Sequence, residues 1–428
     1  MKFPLATDTS TLDRPADDPA APDHHRQPRR WRTWWARRIL AAALAAVGLA
    51  GVALILAAPS PSPDQALPAG AEAAAPLHTS GGTIVDTAGR TVTLTGVNWF
   101  GLETSLFAPD GLSVRNYNSM LDQMVASGFN TIRLPYSNAL FRPGNTPTGV
   151  NYRLNPDLRG LSGLALMTKI VNAATSRGLM VILDQHRPNQ NAQSPLPASG
   201  NLTEADWIND WVMLAKHFRS NPLVIGADLH NEPNGPATWG TGNPQTDWRL
   251  MAEKGGDAVL AANPHWLVFV EGIDNYQHQG YWWGGDLAGA KRYPVRLSEA
   301  DHLVYSAHDY GPETYGQNWF QAKNFPANLP AIWNRNWAYL KEQNTAPVLL
   351  GEFGGSVGND AEGKWQTTLL SFLKQHGISY TYWAWNPDSA GTGGILNNNW
   401  QSVEKAKIDL LHTYQVPLPQ AHLAHKKQ

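Results

Sequence analysis

Eight short apolar runs recur along the chain, and nearly every one stops abruptly in polar residues. No other feature limits the possible folds so tightly. The runs are 91–99, 129–136, 179–186, 223–233, 266–273, 302–310, 347–355 and 379–385. Amphipathic stretches lie between most of them. Residues 114–128 carry Tyr117, Met120, Leu121 and Met124 at helical spacing and end at Gly128; 161–178 end at Gly178. A third helix, 203–220, opens on Thr203 as its N-cap, and others are expected at 247–262, near 330–343, at 361–376 and at 402–414. Apolar runs without strict alternation suit parallel strands buried on both faces. Eight such units over roughly 340 residues fit an α/β chain folded as a single (β/α)8 TIM barrel with long loops. An open doubly wound sheet fits less well, because no Gly-rich phosphate loop follows the first strand.

The residues that end the runs are Asn98, Arg133, Asp184 and His186, His230, Asn231 and Glu232, Glu271, His308, Asp309 and Tyr310, Glu352, and Trp383 and Trp385. In a closed barrel the strand C-termini ring one mouth, where several strands supply catalytic groups. Glu232 and Glu352 follow the fourth and seventh runs, whose ends face each other across that mouth. Paired carboxylates across a cleft are what glycoside hydrolysis uses. His186, His230 and His308 are available to a metal, but no HxxxH pair or acidic cluster has ligand spacing. No GxSxG elbow offers a serine nucleophile. The expectation is therefore no metal and no cofactor.

Composition narrows the field further. The absence of cysteine excludes a disulfide scaffold, a thiolate metal site and a cysteine nucleophile. A net charge of −2 argues against nucleic acid as a partner. The 18 tryptophans outnumber both Tyr and Phe, and indole is a flat surface on which the C–H face of a sugar packs. Trp99, Trp239, Trp282, Trp283, Trp319, Trp383, Trp385 and Trp400 fall at strand ends or in loops and are candidate platforms. Trp207, Trp211, Trp333, Trp337 and Trp365 sit at helical spacing and read as core.

The N-terminal region is of another kind. Its first 58 residues carry +3, leaving −5 for the rest. A basic leader, 1–38, holds six arginines between Arg26 and Arg38. An uncharged apolar run, 39–58, follows and is long enough to cross a bilayer. Trp31, Trp34 and Trp35 stand at its edge. The run reads either as a cleaved signal peptide, with a weak twin-arginine cast at Arg37-Arg38, or as an uncleaved transmembrane signal anchor; a buried core helix fits poorly. Residues 59–77 have the Pro/Ala-rich composition of a linker. The catalytic barrel is then expected over 78–415, with a disordered tail at 416–428. Either reading places the barrel outside the cytoplasm, secreted or membrane-anchored.

The motifs resemble glycoside hydrolase family 5, and within it the bacterial endo-β-1,4-glucanases. The similarity runs through GVNWFGLET (96–104), NTIRLPYS (130–137), ILDQHRP (182–188), DLHNEP (228–233), DWRLMAEKGGDAVL (247–260), FVEG (269–272), YWWGGDL (281–287), YSAHDYGP (305–312), LGEFGG (350–355) and YWAWNPDSAGTGGIL (382–396). It implies that Glu232 is the general acid/base and Glu352 the nucleophile. By the same resemblance Asn231 hydrogen-bonds the sugar 2-hydroxyl, Arg133 and Tyr310 hold the nucleophile, and His186 and His308 contact the sugar and tune the acid. Trp383 matches the indole floor at the cleaved bond. Trp385, Trp282, Trp283, Tyr315 and Asn98 are further candidate substrate contacts.

The chemistry agrees with these roles. A nucleophile must stay ionised, which a cation and a phenol donor beside it favour, whereas an acid must keep its proton, which nearby negative charge favours. The implied reaction is a retaining double displacement on internal β-1,4 bonds of cellulose or a related β-glucan, by a monomer. Mannan, xyloglucan and mixed-linkage glucan are alternative substrates, and a non-catalytic sugar-binding barrel is the alternative class. The chain departs from its relatives in two places. Thr238 and Thr241 stand where several exported relatives have a cysteine pair, and Ser113 stands where some have a further tryptophan.

Overall fold

The computed structural model describes residues 76–416 and 418. The basic leader, the apolar run 39–58, nearly all of the linker and most of the tail lie outside the described residues. Among the described residues, no helix is long and apolar enough to cross a membrane.

Eight parallel strands close into a barrel in sequence order. They are β1 (Thr95–Asn98), β2 (Thr131–Ser137), β3 (Met180–Arg187), β4 (Val224–Asp228), β5 (Leu267–Glu271), β6 (Leu303–His308), β7 (Val348–Glu352) and β8 (Ser379–Tyr382). Six lie inside an apolar run, and β2 and β3 each extend one residue past theirs. Helices α1 (Tyr117–Ala126), α2 (Gly163–Thr175), α3 (Glu204–His217) and α4 (Trp248–Ala262) follow the first four strands. The β5–β6 connection has no α-helix, only a small hairpin, Asn275–Tyr276 with Gln279–Gly280, and short 3-10 turns. After β6 the expected helix is broken into α5 (Leu329–Trp333) and α6 (Tyr339–Glu342) around a π-helical turn, Asn334–Ala338. Helices α7 (Ala361–His376) and α8 (Lys405–Leu411) complete the outer ring.

Local chemistry explains the helix ends. Thr203 and Asp206 form a reciprocal capping box at the start of α3. Gly377 takes the left-handed conformation that stops α7.

Two assignments shift at the edges of the body. Leu77, read as linker, is buried with Ile84, Leu94, Ile182, Phe269 and Leu349 in the smaller of two apolar clusters. Ile84 comes from a two-stranded hairpin, His78–Ser80 and Thr83–Val85, that the sequence does not announce. Val416, read as tail, is held by hydrogen bonds to Thr95 and Asn130 at the entry of β1 and β2.

Tryptophans of the helix layer stitch the strand ends in place. Trp207 and Trp211 of α3 both donate to the carbonyl of Leu229, at 3.0 and 3.1 Å. Trp248 of α4 donates to the carbonyl of Glu271 at 2.8 Å. Trp333 and Trp365 donate to the buried Asp309 carboxylate, which also accepts from Tyr281. A buried indole needs a partner for its N–H. Here the partner is repeatedly the backbone or side chain next to a mouth residue.

Candidate active site

Arg133 rises from β2 into the barrel axis and is fully buried. Every arm of its guanidinium is engaged. Nε donates to Asp228 at 2.9 Å; one terminal nitrogen donates to Glu352 at 2.7 Å and Asn98 at 3.0 Å. The other donates to Asn231 at 2.9 Å and Glu271 at 3.0 Å, and lies 3.2 Å from Asp184. Burial alone would weaken its hold on the proton, but the four carboxylates outweigh that and fix it as a cation.

Glu352, the last residue of β7, takes its second bond from the Tyr310 hydroxyl at 2.6 Å. Its neighbour Gly351 has no side chain for a reason. A Cβ there would stand 2.6 Å from Ser306 Oγ and 3.0 Å from His308 Nε2. The β6–β7 register slips at this point, pairing Ala307 with Leu350 but His308 with Glu352, and the His308 ring occupies the space.

Glu232 lies four residues beyond β4 with φ of 53°, a left-handed conformation rare for a residue with a side chain. Its own N–H is tied to Glu271 Oε2 at 2.7 Å. Its carboxylate meets His308 Nδ1 at 3.0 Å. Gly284 packs on the same corner, where a Cβ would come 3.2 Å from the Glu232 Cα.

His308 bridges the groups, with Nε2 also 3.3 Å from Glu271 and Nδ1 3.6 Å from Glu352. Burial would lower its pKa, but Glu271, Glu352 and Glu232 raise it well above the ordinary histidine value. His308 is therefore an imidazolium. His186 is the opposite case: burial holds it well below the ordinary value, and the neutral ring bonds Asp184 through Nδ1 at 2.7 Å. The closest carboxylate oxygens of Glu232 and Glu352 and a ring nitrogen of His308 all lie within 4.8 Å of one another.

Such oxygen-rich sets can hold a cation, and Asp184, Asp228 and Glu271 form a second one. The Arg133 guanidinium already lies within 3.2 Å of all three. The protonated His308 sits inside the other set. Each set already holds a cation of the protein's own, which is poor chemistry for a resident metal.

The cellulase family model, glycosyl hydrolase family 5, matches residues 85–389. The chain belongs to glycosyl hydrolase family 5. It is 48% identical over 346 residues to an endoglucanase of Paenibacillus polymyxa, covering 80% of this chain and 87% of that one. It is 44% identical over 337 residues to the major extracellular endoglucanase of Xanthomonas campestris pv. campestris, covering 77% and 69%. Among solved structures, an endocellulase of Pyrococcus horikoshii in complex with cellotetraose superposes with a TM-score of 0.75 at 40% identity, covering 80% of this chain and 98% of that one.

The structure of this family 5 chain sorts the candidate residues by depth. Arg133, His186, Asn231, Glu232, His308, Tyr310 and Glu352 come together at the mouth. Trp383 does too: its ring lies within 14° of parallel to both His186 and Phe100, at centroid distances of 5.3 and 5.4 Å. Trp283 and Tyr315 are exposed, at 48% and 66%. Three candidates are corrected. Asn98 is fully buried; its amide donates to the carbonyls of Gly351, Thr381 and Tyr382 and its oxygen serves Arg133, so it braces the site rather than reaching for sugar. Trp385 is fully buried, edge-on to Phe129. Trp282 is 7% exposed and packs edge-on against Tyr310, so it buttresses that phenol.

Asp228 and Glu271 had no role assigned from the sequence, yet both contact Arg133. Burial raises each to about 7. Glu271 stood out only as a run-ending acid, ending β5 just as Glu352 ends β7. Nothing in the sequence told its partners.

Proposed function

We propose that this chain is an exported endo-β-1,4-glucanase that works by retaining double displacement, with Glu352 as nucleophile and Glu232 as acid/base. The observation that carries the reading is the separation of the two carboxylates, within 4.8 Å at their closest oxygens. Retaining enzymes hold the pair about 5–5.5 Å apart, whereas inverting enzymes leave about 6.5–9.5 Å for a water. Glu352 attacks the anomeric carbon as Glu232 gives its proton to the departing glycosidic oxygen. The glycosyl ester on Glu352 is then cleaved by a water whose proton returns to Glu232. Arg133 and Tyr310 supply the donors that keep the Glu352 carboxylate aligned, and Asn231 stands beside it for the sugar 2-hydroxyl. Trp383 is the stacking surface at the cleaved bond, with Trp283 and Tyr315 the outer platforms. All these groups come from one chain, which supports a monomer as the working unit.

The β-glucan substrate is supported by the relatives named as endoglucanases and by the cellotetraose complex of the Pyrococcus enzyme. Export is supported by the arginine-flanked apolar run and by the extracellular designation of the Xanthomonas relative. Time-resolved NMR of the first anomer released from a cello-oligosaccharide tests the stereochemistry, and initial inversion would rule the mechanism out. A hydrolysis panel of carboxymethyl cellulose, mixed-linkage glucan, xyloglucan, mannan and xylan tests the substrate. Activity on mannan alone would overturn the glucanase reading.

A further inference from the structure

Lys407 lies on α8, away from the ring of acids, and is only 6% exposed. Its ammonium donates to the carbonyl of Thr392 at 2.9 Å and faces the Tyr382 ring, 6.0 Å from its centroid. Among the described residues it forms no ion pair. A lysine buried in this way gives up hydration for little Coulombic return, so what it holds is of interest.

The Thr392 hydroxyl lies 2.6 Å from Ser389 Oγ, and Ser389 Oγ accepts the indole N–H of Trp383 at 2.9 Å. Thr392 therefore joins the two ends: its carbonyl takes the ammonium of α8, and its hydroxyl leads through Ser389 to the ring beside His186. A cavity of about 390 Å³, lined by Glu313, Ser356, Thr392, Glu404 and Lys407 among others, lies behind that turn. The turn carries its own bond from the Gly393 N–H to the Ser389 carbonyl at 2.9 Å, and the Lys407 ammonium ties it to α8.

We propose that Lys407 is a positioning residue for substrate binding: by tying the 389–392 turn to α8 it sets the orientation of Trp383, and so the affinity for the glucan rather than the chemical step. The inference rests on Trp383 being the stacking surface. It carries a pH signature. Burial pushes the Lys407 ammonium down to about 8, opposed by Glu404 at the head of α8, Glu313 on the loop after β6 and Glu362 of α7. The phenol of Tyr382 also faces it. Below that value the tether is a charge-assisted bond; above it the neutral amine holds the turn less firmly, and KM should rise.

The test is steady-state kinetics on cellotetraose from about pH 6 to about pH 9 for the wild type, Trp383→Ala, Lys407→Met, Lys407→Arg and Ser389→Ala. Losing one hydrogen bond of about 0.5–1.5 kcal/mol corresponds to roughly a two- to twelvefold change in affinity. Lys407→Met and Ser389→Ala should raise KM by that much with kcat nearly unchanged, and Lys407→Arg should recover most of the loss. The alkaline rise in KM should be absent from Lys407→Met. If Lys407→Met does not fold, Ser389→Ala, which cuts the link between Thr392 and Trp383, carries the prediction. A raised KM in Trp383→Ala with an unchanged KM in Ser389→Ala and in every folded Lys407 variant would overturn the tether and leave the role of Trp383 standing. An unchanged KM in Trp383→Ala would overturn the stacking role itself.

Discussion

The two glutamates at the mouth are held in opposite ways. Glu352 ends a barrel strand, inside the ladder, with its side chain 4% exposed and two donors within 2.7 Å. Glu232 lies beyond its strand on a left-handed backbone, with its side chain 20% exposed and one imidazole at 3.0 Å. A carboxylate that must attack a carbon benefits from being desolvated, immobile and matched to fixed charge. A group that must deliver a proton to a leaving oxygen, and later take one from water, needs a path to solvent. The asymmetry fits the division of labour that the proposed mechanism assigns to Glu352 and Glu232.

Replacing each carboxylate in turn gives the sharpest way to break this comparison. Glu352→Gln should lower kcat by about 10⁴-fold or more on every substrate, because the amide cannot form the covalent intermediate. Circular dichroism should show the fold kept. Glu232→Gln should cost about 10²–10⁴-fold on glucan. That loss should shrink markedly on an aryl cellobioside whose phenol leaves without a proton. Equal losses on both substrates, or recovery in Glu352→Gln instead, would reverse the assignments.

A smaller effect probes how Glu352 is held. Tyr310→Phe removes one hydrogen bond to a charged group, worth about 1.5–3 kcal/mol. Turnover should fall roughly ten- to hundredfold, and Trp282, which packs on the same ring, keeps the site filled. Wild-type turnover in this variant would mean that Arg133 alone orients the nucleophile.

The sequence disclosed the barrel well because its signal is local. Apolar runs, Gly stops and the Thr203 cap each report on a few neighbouring residues, and all eight strands formed at the expected runs, to within one residue. Depth was less legible. Side-chain period places Trp385 on a face of the run 379–385 but cannot say whether that face meets sugar or the helix layer. Likewise Asn98 looked like a mouth residue, and only the Arg133 network shows that its amide is fully used below the surface. The Glu271 environment was hidden for the same reason: it is assembled from β2, β6 and the loop after β4, which are far apart in sequence. The broken helix at 334–338 escaped notice because Trp333, just before the π turn, and Trp337, within it, keep helical spacing.

The smallest expected effect concerns stability, and it tests whether the acids beneath the two glutamates outnumber their cations. Asp184, Asp228 and Glu271 gather around only Arg133 and His308, and burial raises all three, so the folded cluster keeps protons that an unfolded chain releases near pH 4. Burial raises Glu271 to about 7. Where the native state binds more protons, stability falls as pH rises. His308 acts in the same direction: its contribution is full below the ordinary histidine value and is lost as pH climbs through its raised one. The buried neutral His186 and His230 work the other way, but their window closes above about 6.5. The clean range is therefore about pH 6.5 to about pH 8, where calorimetry should show the unfolding midpoint dropping by roughly 2–4 °C for each kcal/mol lost. Glu271→Gln, which cannot titrate, should flatten that drop. A midpoint that rises through this range in the wild type would mean that the cluster is already fully ionised at neutrality, and that Arg133 and His308 balance it without retained protons.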